Sequence, residues 1–322
     1  MQAIRPNQAG GPEQLRLEEF PRPQPTGAQV LVRTQAVGVN FIDIYQRSGQ
    51  YPLPKPMLLG SEGAGIVEAI GESVTDVKPG DRVGWAGTLG SYATHVLVPA
   101  ERAVPLPDGV DSKLAAASLL QGITAHYLAC ASFPLQAGDT ALVHAAAGGV
   151  GLLLVQIAKL RGARVIGTVS TPQKAELAKR AGADSVILYE EQDFEAECRQ
   201  LTAGRGVDVV YDSVGKTTFD KSLRSLRPRG MLVLYGQSSG AVGPLDPQAL
   251  AARGSLFLTR PTIHHYVATR EELLSRAREL FAWMLEGKLS VRIDRTFPLA
   301  DAAEAHRALE GRATTGKLLL IP

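Results

Sequence analysis

Cysteine is nearly missing from this chain. Its 322 residues include only Cys130 and Cys198, far apart and in no CxxC pair, so neither a disulfide framework nor a cysteine-rich zinc site is available. A charge of one sign is missing too. Thirty-four Lys and Arg face thirty-two Asp and Glu, for a net charge of +2. Both signs are interspersed, which excludes the electrostatic footprint of a nucleic-acid or anionic-membrane binder. The densest basic patch, Arg224, Arg227 and Arg229, reads as a solvated helix end. No apolar run is expected to reach the roughly 20 residues that span a bilayer. The opening MQAIRPNQAG has no apolar signal-peptide core, and a cytoplasmic location is the expectation. The six histidines, His95, His126, His144, His264, His265 and His306, show no HExxH or other ligand spacing. Internal repeats and low-complexity segments are absent.

What is present is an apolar fraction of 45%, enough for real cores in about two domains. The most informative stretch is 140–162, TALVHAAAGGVGLLLVQIAKLRG. Residues 140–144 are short and apolar like a buried parallel strand, and 150–161 have the length and spacing of a helix. Gly148, Gly149, Val150 and Gly151 lie at the turn between them. Without Cβ atoms the backbone turns tightly and approaches a phosphate closely, while amides at the helix start face the anion. Ala146 stands at the first position of GxGxxG, so the pattern is incomplete, and a plain strand-to-helix turn would use the same glycines.

From residue 140 onward strands alternate with helices. Strands are expected at 164–168, 185–188, 207–212, 230–235 and 255–259, with helices from 172, near 193–202 and near 219–226. Six strands match a doubly wound parallel sheet, whose ligand lies at the carboxyl ends where the strand order reverses. Before about residue 121 the pattern is β-rich, with a strand at 29–37 and turns at KPGD and PDG. After 261 come a helix at 270–286 closed by Gly287, short strands at 291–297 and a helix at 300–310. This tail is too short to stand alone and is expected to complete the first domain.

This order of parts resembles the medium-chain dehydrogenase/reductase superfamily. The segments GVNFIDIYQRSGQYPLP, LLGSEGAGIVEAIG, VKPGDRV, HAAAGGVG, VVYDSVG and RATTGKLLLIP resemble its zinc-independent quinone oxidoreductase branch. The resemblance implies an α/β fold: a Rossmann NADPH domain over 122–260 and a GroES-like catalytic domain over 1–121 and 261–322. It also implies NADPH as hydride donor, a quinone or conjugated carbonyl as acceptor, and homodimerisation through the edge of the cofactor sheet near 255–259. An alkenal or enone reductase and a non-enzymatic NADPH-binding protein remain as alternatives. In zinc-dependent relatives a cysteine takes the place of Asn40 and a histidine that of Ser61; amide and hydroxyl are no zinc anchors. Glu62 and Asp43 stand where relatives keep carboxylates near the metal, and structural hydrogen bonding is expected of both.

An NAD-selective site places an acid on the ribose roughly 20 residues past the glycine turn. Here Ser170 stands there, followed by Lys174, a pairing that suits a 2′-phosphate, although Lys174 could equally be an exposed helix lysine. The resemblance adds Tyr189 and Arg312 on the phosphate side. Ser213, and Tyr235, Gly236 and Ser238 in YGQSS, follow the fourth and fifth strands and are either cofactor contacts or simple loops. A quinone is already electrophilic, so positioning and weak donors suffice. The resemblance points to Asn40, Tyr45 and Gln121 for these, and to Thr124 near the nicotinamide, where a helix-start hydroxyl is the other reading. Phe41, Ile42, Tyr51 and Pro52 are an apolar wall or ordinary core.

Overall fold

Up to Pro105 the chain folds mainly into strands: β1 (Gln2–Ile4), β2 (Leu17–Glu19), β3 (Gln29–Val39), β4 (Glu62–Ile70), β5 (Arg82–Ala86), β6 (His95–Pro99) and β7 (Val104–Pro105), with α1 (Phe41–Arg47) between β3 and β4. A long helix, α2 (Ser112–Tyr127), follows and runs on through a π-turn, Leu128–Ser132. Next come β8 (Thr140–Val143), α3 (Gly149–Leu160), β9 (Arg164–Val169), α4 (Pro172–Arg180), β10 (Ser185–Leu188), α5 (Phe194–Leu201), β11 (Val207–Asp212), α6 (Phe219–Arg224), β12 (Leu226–Leu234), α7 (Gln248–Ala252) and β13 (Phe257–Thr259). The chain closes with α8 (Ile263–Tyr266), α9 (Arg270–Leu285), β14 (Ile293–Pro298), α10 (Ala302–Glu310) and β15 (Lys317–Ile321).

The computed structural model describes residues 1–322. It divides into unit 1, comprising Met1–Ile123, Tyr266–Gly287 and Val291–Pro322, and unit 2, comprising Thr124–His265 and Lys288–Ser290. In unit 1 the seven-stranded sheet runs β14-β15-β3-β4-β5-β7, with β6 also on β3. β15 lies antiparallel to β3 with Leu318 opposite Val39, and β4 lies antiparallel to β3 with Val37 opposite Gly63. That register brings Lys317, Asn40 and Glu62 to one place.

Unit 2 is a parallel six-stranded sheet in the order β10-β9-β8-β11-β12-β13. This is the doubly wound order, reversing between β8 and β11. Its central strands β8, β9 and β11 are buried on both faces and therefore read as near-continuous apolar runs. The core joins Leu142, Ile166, Val210 and Leu232 from the strands to Phe194, Phe219 and Leu223 from the helices.

Five expectations need correction. The helix Ser112–Ser132 is 21 residues long with mean hydropathy 1.3, so one stretch does have the length and composition of a membrane span; 72% of its apolar window is buried inside the fold, as in a core helix. Its sequence hides it, because a helix buried on nearly every side has no polar face and so no helical period. The last strand of the parallel sheet begins at Phe257, because Ser255 has φ 56° and Leu256 packs into the core. The fifth strand starts earlier, at Leu226, and ends before Tyr235. The helix expected at 300 starts at Ala302, after a 3-10 turn over Leu299–Asp301. Finally, Arg227 is no freely solvated residue, since its guanidinium meets the nearly buried Asp208 carboxylate at 2.5 Å, and Arg224 pairs with Glu195 at 2.8 Å.

Candidate functional site

Functional groups gather in each unit separately. In unit 2 they lie at the carboxyl ends of the parallel strands. Ala145 takes φ 51°, and Gly148 caps α3 in extended conformation. The first intrahelical bond is donated by Leu152 N–H to Gly148 O at 2.9 Å, so the amides of Gly149, Val150 and Gly151 precede the ladder and open toward an anion. No acidic side chain lies in that first turn. A Cβ at Gly151 would collide with Ala145 O and come within 2.8 Å of Ala146 Cα, so the third glycine is required by close contact of helix and turn. Gly167 on β9 would bring its Cβ to 2.8 Å from Ala146 Cβ, which explains why Ala serves at the first position of the motif.

The loops beside this turn are anchored by a buried polar chain absent from the sequence reading. Asp212, fully buried at the end of β11, accepts from Val214 N–H at 2.8 Å, Gly215 N–H at 3.0 Å, Thr218 Oγ1 at 2.7 Å and Ser222 Oγ at 3.0 Å. Because the Ser222 hydroxyl donates to Asp212, it accepts from His144 Nε2 at 3.0 Å, which leaves His144 Nδ1 to accept from Thr168 at 2.9 Å. Burial lowers the His144 pKa, keeping the ring neutral in this role. Ser213 O then accepts from Ser238 N–H at 3.1 Å, and Tyr235 N–H donates to Asp212 O at 2.8 Å. A Cβ at Gly236 would stand 2.6 Å from Ser213 O, so these two loops touch backbone to backbone.

At the end of β9 Ser170 Oγ accepts from Lys174 Nζ at 3.4 Å, and Thr171 caps α4 by accepting from Lys174 N–H at 3.3 Å. The Ser170 and Lys174 side chains are half-buried. Tyr189, just past β10, is exposed, and its N–H bonds Val169 O at 3.1 Å. Gly148 through Gly151, Ser170, Lys174, Tyr189, Ser213, Tyr235, Gly236 and Ser238 all belong to unit 2. Arg312 does not; it follows α10 in unit 1 with φ 54°. Glycine turn, open amides and a hydroxyl–lysine pair in place of an acid together fit a dinucleotide bearing a 2′-phosphate.

In unit 1 the sheet register assembles a buried cluster. Lys317 Nζ donates to Asn40 Oδ1 at 2.7 Å and to Glu62 Oε2 at 2.5 Å. Asn40 Nδ2 donates to Glu62 Oε2 at 3.1 Å and to Gly38 O at 3.2 Å. Both Asn40 amide hydrogens are therefore spent, and Asn40 meets α1 through its backbone, its N–H donating to Asp43 Oδ2 at 2.9 Å and its carbonyl accepting from Asp43 N–H at 3.1 Å. Tyr45, on α1, is 8% exposed and sits between Phe41 and Tyr51, with ring centroids 6.2 and 5.2 Å away and ring planes tilted by 41° and 59°. Gln121 is half-buried in unit 1, while Thr124 is buried in unit 2. Both lie inside α2, so Thr124 is no helix-start hydroxyl.

Behind α1 runs a second chain. Arg47 Nη1 donates to His306 Nδ1 at 3.2 Å, so the Nε2–H of the neutral ring donates to Tyr92 Oη at 2.8 Å, and Tyr92 donates to Asp43 Oδ2 at 3.0 Å. Glu310 closes it at the surface, 2.5 Å from Arg47. Burial pushes the Asp43 pKa up to about 7, against the Asn40 N–H, Tyr92 and Lys317, which favour its charge. Burial, with the Arg47 charge beside it, pulls His306 down to about 3. Glu62 and Asp43 are thus both engaged in hydrogen bonds, one with a lysine and one with a tyrosine. No group of three or more His, Cys, Asp or Glu side chains is arranged to hold a metal ion.

Residues 149–282 match the family described as Zinc-binding dehydrogenase, and residues 26–108 match the Alcohol dehydrogenase GroES-like domain. Among curated proteins, a quinone oxidoreductase of Pseudomonas aeruginosa is 47% identical over 315 residues, 97% of each chain. A 2-haloacrylate reductase of Burkholderia is 43% identical, covering 97% of this chain and 96% of its own. Among solved structures, quinone oxidoreductase of Escherichia coli complexed with NADPH is 44% identical, with a TM-score of 0.98 over all of both chains.

Proposed function

Because the chain belongs to the quinone oxidoreductase branch of the medium-chain dehydrogenase/reductase superfamily, we propose that it is an NADPH-dependent quinone reductase that works without zinc. The observation that carries the cofactor assignment is the end of β9, where Ser170 and Lys174 replace the acid that would repel a 2′-phosphate. Gly148, Gly149, Val150 and Gly151 hold the pyrophosphate on the open amides of α3. Ser170, Lys174 and Tyr189 take the adenosine phosphate, and Ser213, Tyr235, Gly236 and Ser238 line the path of the remainder. Bound NADPH supplies the hydride. Tyr45 and Gln121 steady the accepting oxygen, Thr124 packs near the nicotinamide, and Asn40 sets the helix that carries Tyr45.

The donor set does not suit zinc. Asn40 and Ser61 offer an amide and a hydroxyl, and Glu62 already neutralises the enclosed Lys317. A homodimer is also part of this reading, formed along β13, which pairs with β12 alone and leaves Phe257 56% exposed. The second reading is reduction of a conjugated carboxylate or carbonyl. It is favoured by the 2-haloacrylate reductase among the relatives.

The test follows NADPH oxidation by absorbance in chelator-treated buffer, with a simple quinone, an α,β-unsaturated ketone and a haloacrylate in parallel. Turnover of the quinone is the expected result. Selective turnover of either of the others moves the assignment to the second reading, and silence on all three with tight NADPH binding overturns both in favour of a binding role.

A further inference from the structure

Lys317 and Glu62 are each 0% exposed at the side chain, and their charges meet at 2.5 Å. A pair taken this far out of water contributes little net stability, because desolvation offsets the attraction. Its connections give it another use. The Glu62 carboxylate is divided between two helices: Oε2 accepts from the side chain of Asn40, the residue immediately before α1, and Oε1 accepts from the Leu120 backbone N–H at 2.6 Å, in the middle of α2. A helical N–H ordinarily serves the carbonyl four residues back, so Glu62 intrudes on the α2 ladder. Lys317 completes the triangle on Asn40 Oδ1, which fixes the Asn40 amide in one orientation, oxygen toward the ammonium and nitrogen toward the carboxylate.

The surroundings leave no slack. A Cβ at Gly38 would collide with Glu62 Oε2, and would stand 2.5 Å from Ala116 O of α2 and 2.7 Å from Lys317 Cε. Tyr45 lies on α1 beyond the Asn40 cap, and Gln121 directly follows Leu120. We propose that the Glu62–Lys317 pair is a positioning device that locks the start of α1 to the middle of α2 and thereby holds Tyr45 and Gln121 in fixed relation. Their role toward substrate rests on the function proposed above; the lock itself rests on the geometry alone.

Two variants separate positioning from stability. Glu62→Gln leaves a buried ammonium uncompensated and lowers the melting temperature. Glu62→Gln combined with Lys317→Met removes both charges at similar volume and restores melting toward wild type. In the double variant the side-chain amide at position 62 has one oxygen where the carboxylate had two, so it no longer offers a second acceptor to the Asn40 amide. Quinone kcat is then expected to stay down by roughly tenfold to a hundredfold, the cost of a misplacement on the order of 1 Å. NADPH affinity, measured by fluorescence, is unchanged, and amide hydrogen exchange speeds up together in residues 40–45 and 119–122. Wild-type kcat in the restored double variant overturns the proposal, as does faster exchange in only one segment. If the wild type itself reduces no acceptor, the functional reading falls and the exchange result alone decides the lock. If both variants fail to fold, native-state exchange of the wild type decides it: openings of the two segments at one free energy support the lock, and openings at separate free energies overturn it.

Discussion

Asp43 and His306, at the two ends of the buried Tyr92 bridge, should cancel each other's pH dependence, and breaking either should expose the other. The folded Asp43 titrates near 7 against 3.8 unfolded, and the folded His306 near 3 against 6.5 unfolded. Between about pH 4 and 6.5 the folded chain therefore carries a proton on Asp43 and none on His306, while the unfolded chain carries the reverse. The proton counts match, so the pair adds no slope to stability in that window. Asp43→Asn leaves His306 alone, and the unfolded state then binds the extra proton, so stability rises with pH by about 1.4 kcal/mol per unit. His306→Gln leaves Asp43 alone, and the folded state then holds the extra proton, so stability falls with pH at about the same rate. Across the window each variant drifts from wild type by about 3 kcal/mol, in opposite directions. The neighbouring charges, Arg47, Glu310, Glu62 and Lys317, are common to all three proteins and drop out of the difference. Urea unfolding at several pH values, with m held constant, is the assay. Profiles parallel to wild type in both variants, or drifts of the same sign, refute the reasoning.

Two further outcomes are expected. Lys174→Ala removes a half-buried ammonium from the place assigned to the 2′-phosphate, and loss of about 1–2 kcal/mol of charge-assisted bonding lowers kcat/KM for NADPH roughly 5- to 30-fold with NADH unaffected; an unchanged NADPH:NADH ratio removes Lys174 from the site. Phe257→Asp puts a charge on the exposed edge strand, so sedimentation should show dimers for the wild type and monomers for the variant, with a wild-type monomer at micromolar concentration counting against the dimer.

Local features are legible where the signal is local. The sequence predicts β10 and β11 with the bounds found in the structure, because the strands of a parallel sheet are short, branched, largely apolar runs closed by turn residues. The glycine turn is legible because Gly151 has no room for a Cβ. α2 is not, since a helix enclosed on nearly all sides carries no amphipathic period. Asn40 stands out as a hydrogen-bonding group, yet its donors are consumed by Glu62 and Gly38, and nothing near Asn40 in sequence reveals that.

By itself the sequence determined the division into a β-rich part and a parallel α/β part, the glycine-rich turn before α3 and the absence of an acid at Ser170, because backbone freedom, periodicity and charge at a strand end act over a few residues. Only the tertiary structure decided that Lys317 meets Glu62 across 255 positions and that Arg47 meets His306 across 259. Those encounters depend on β15 lying against β3 in one register, and a buried charge is held only where distant strands deliver its partner.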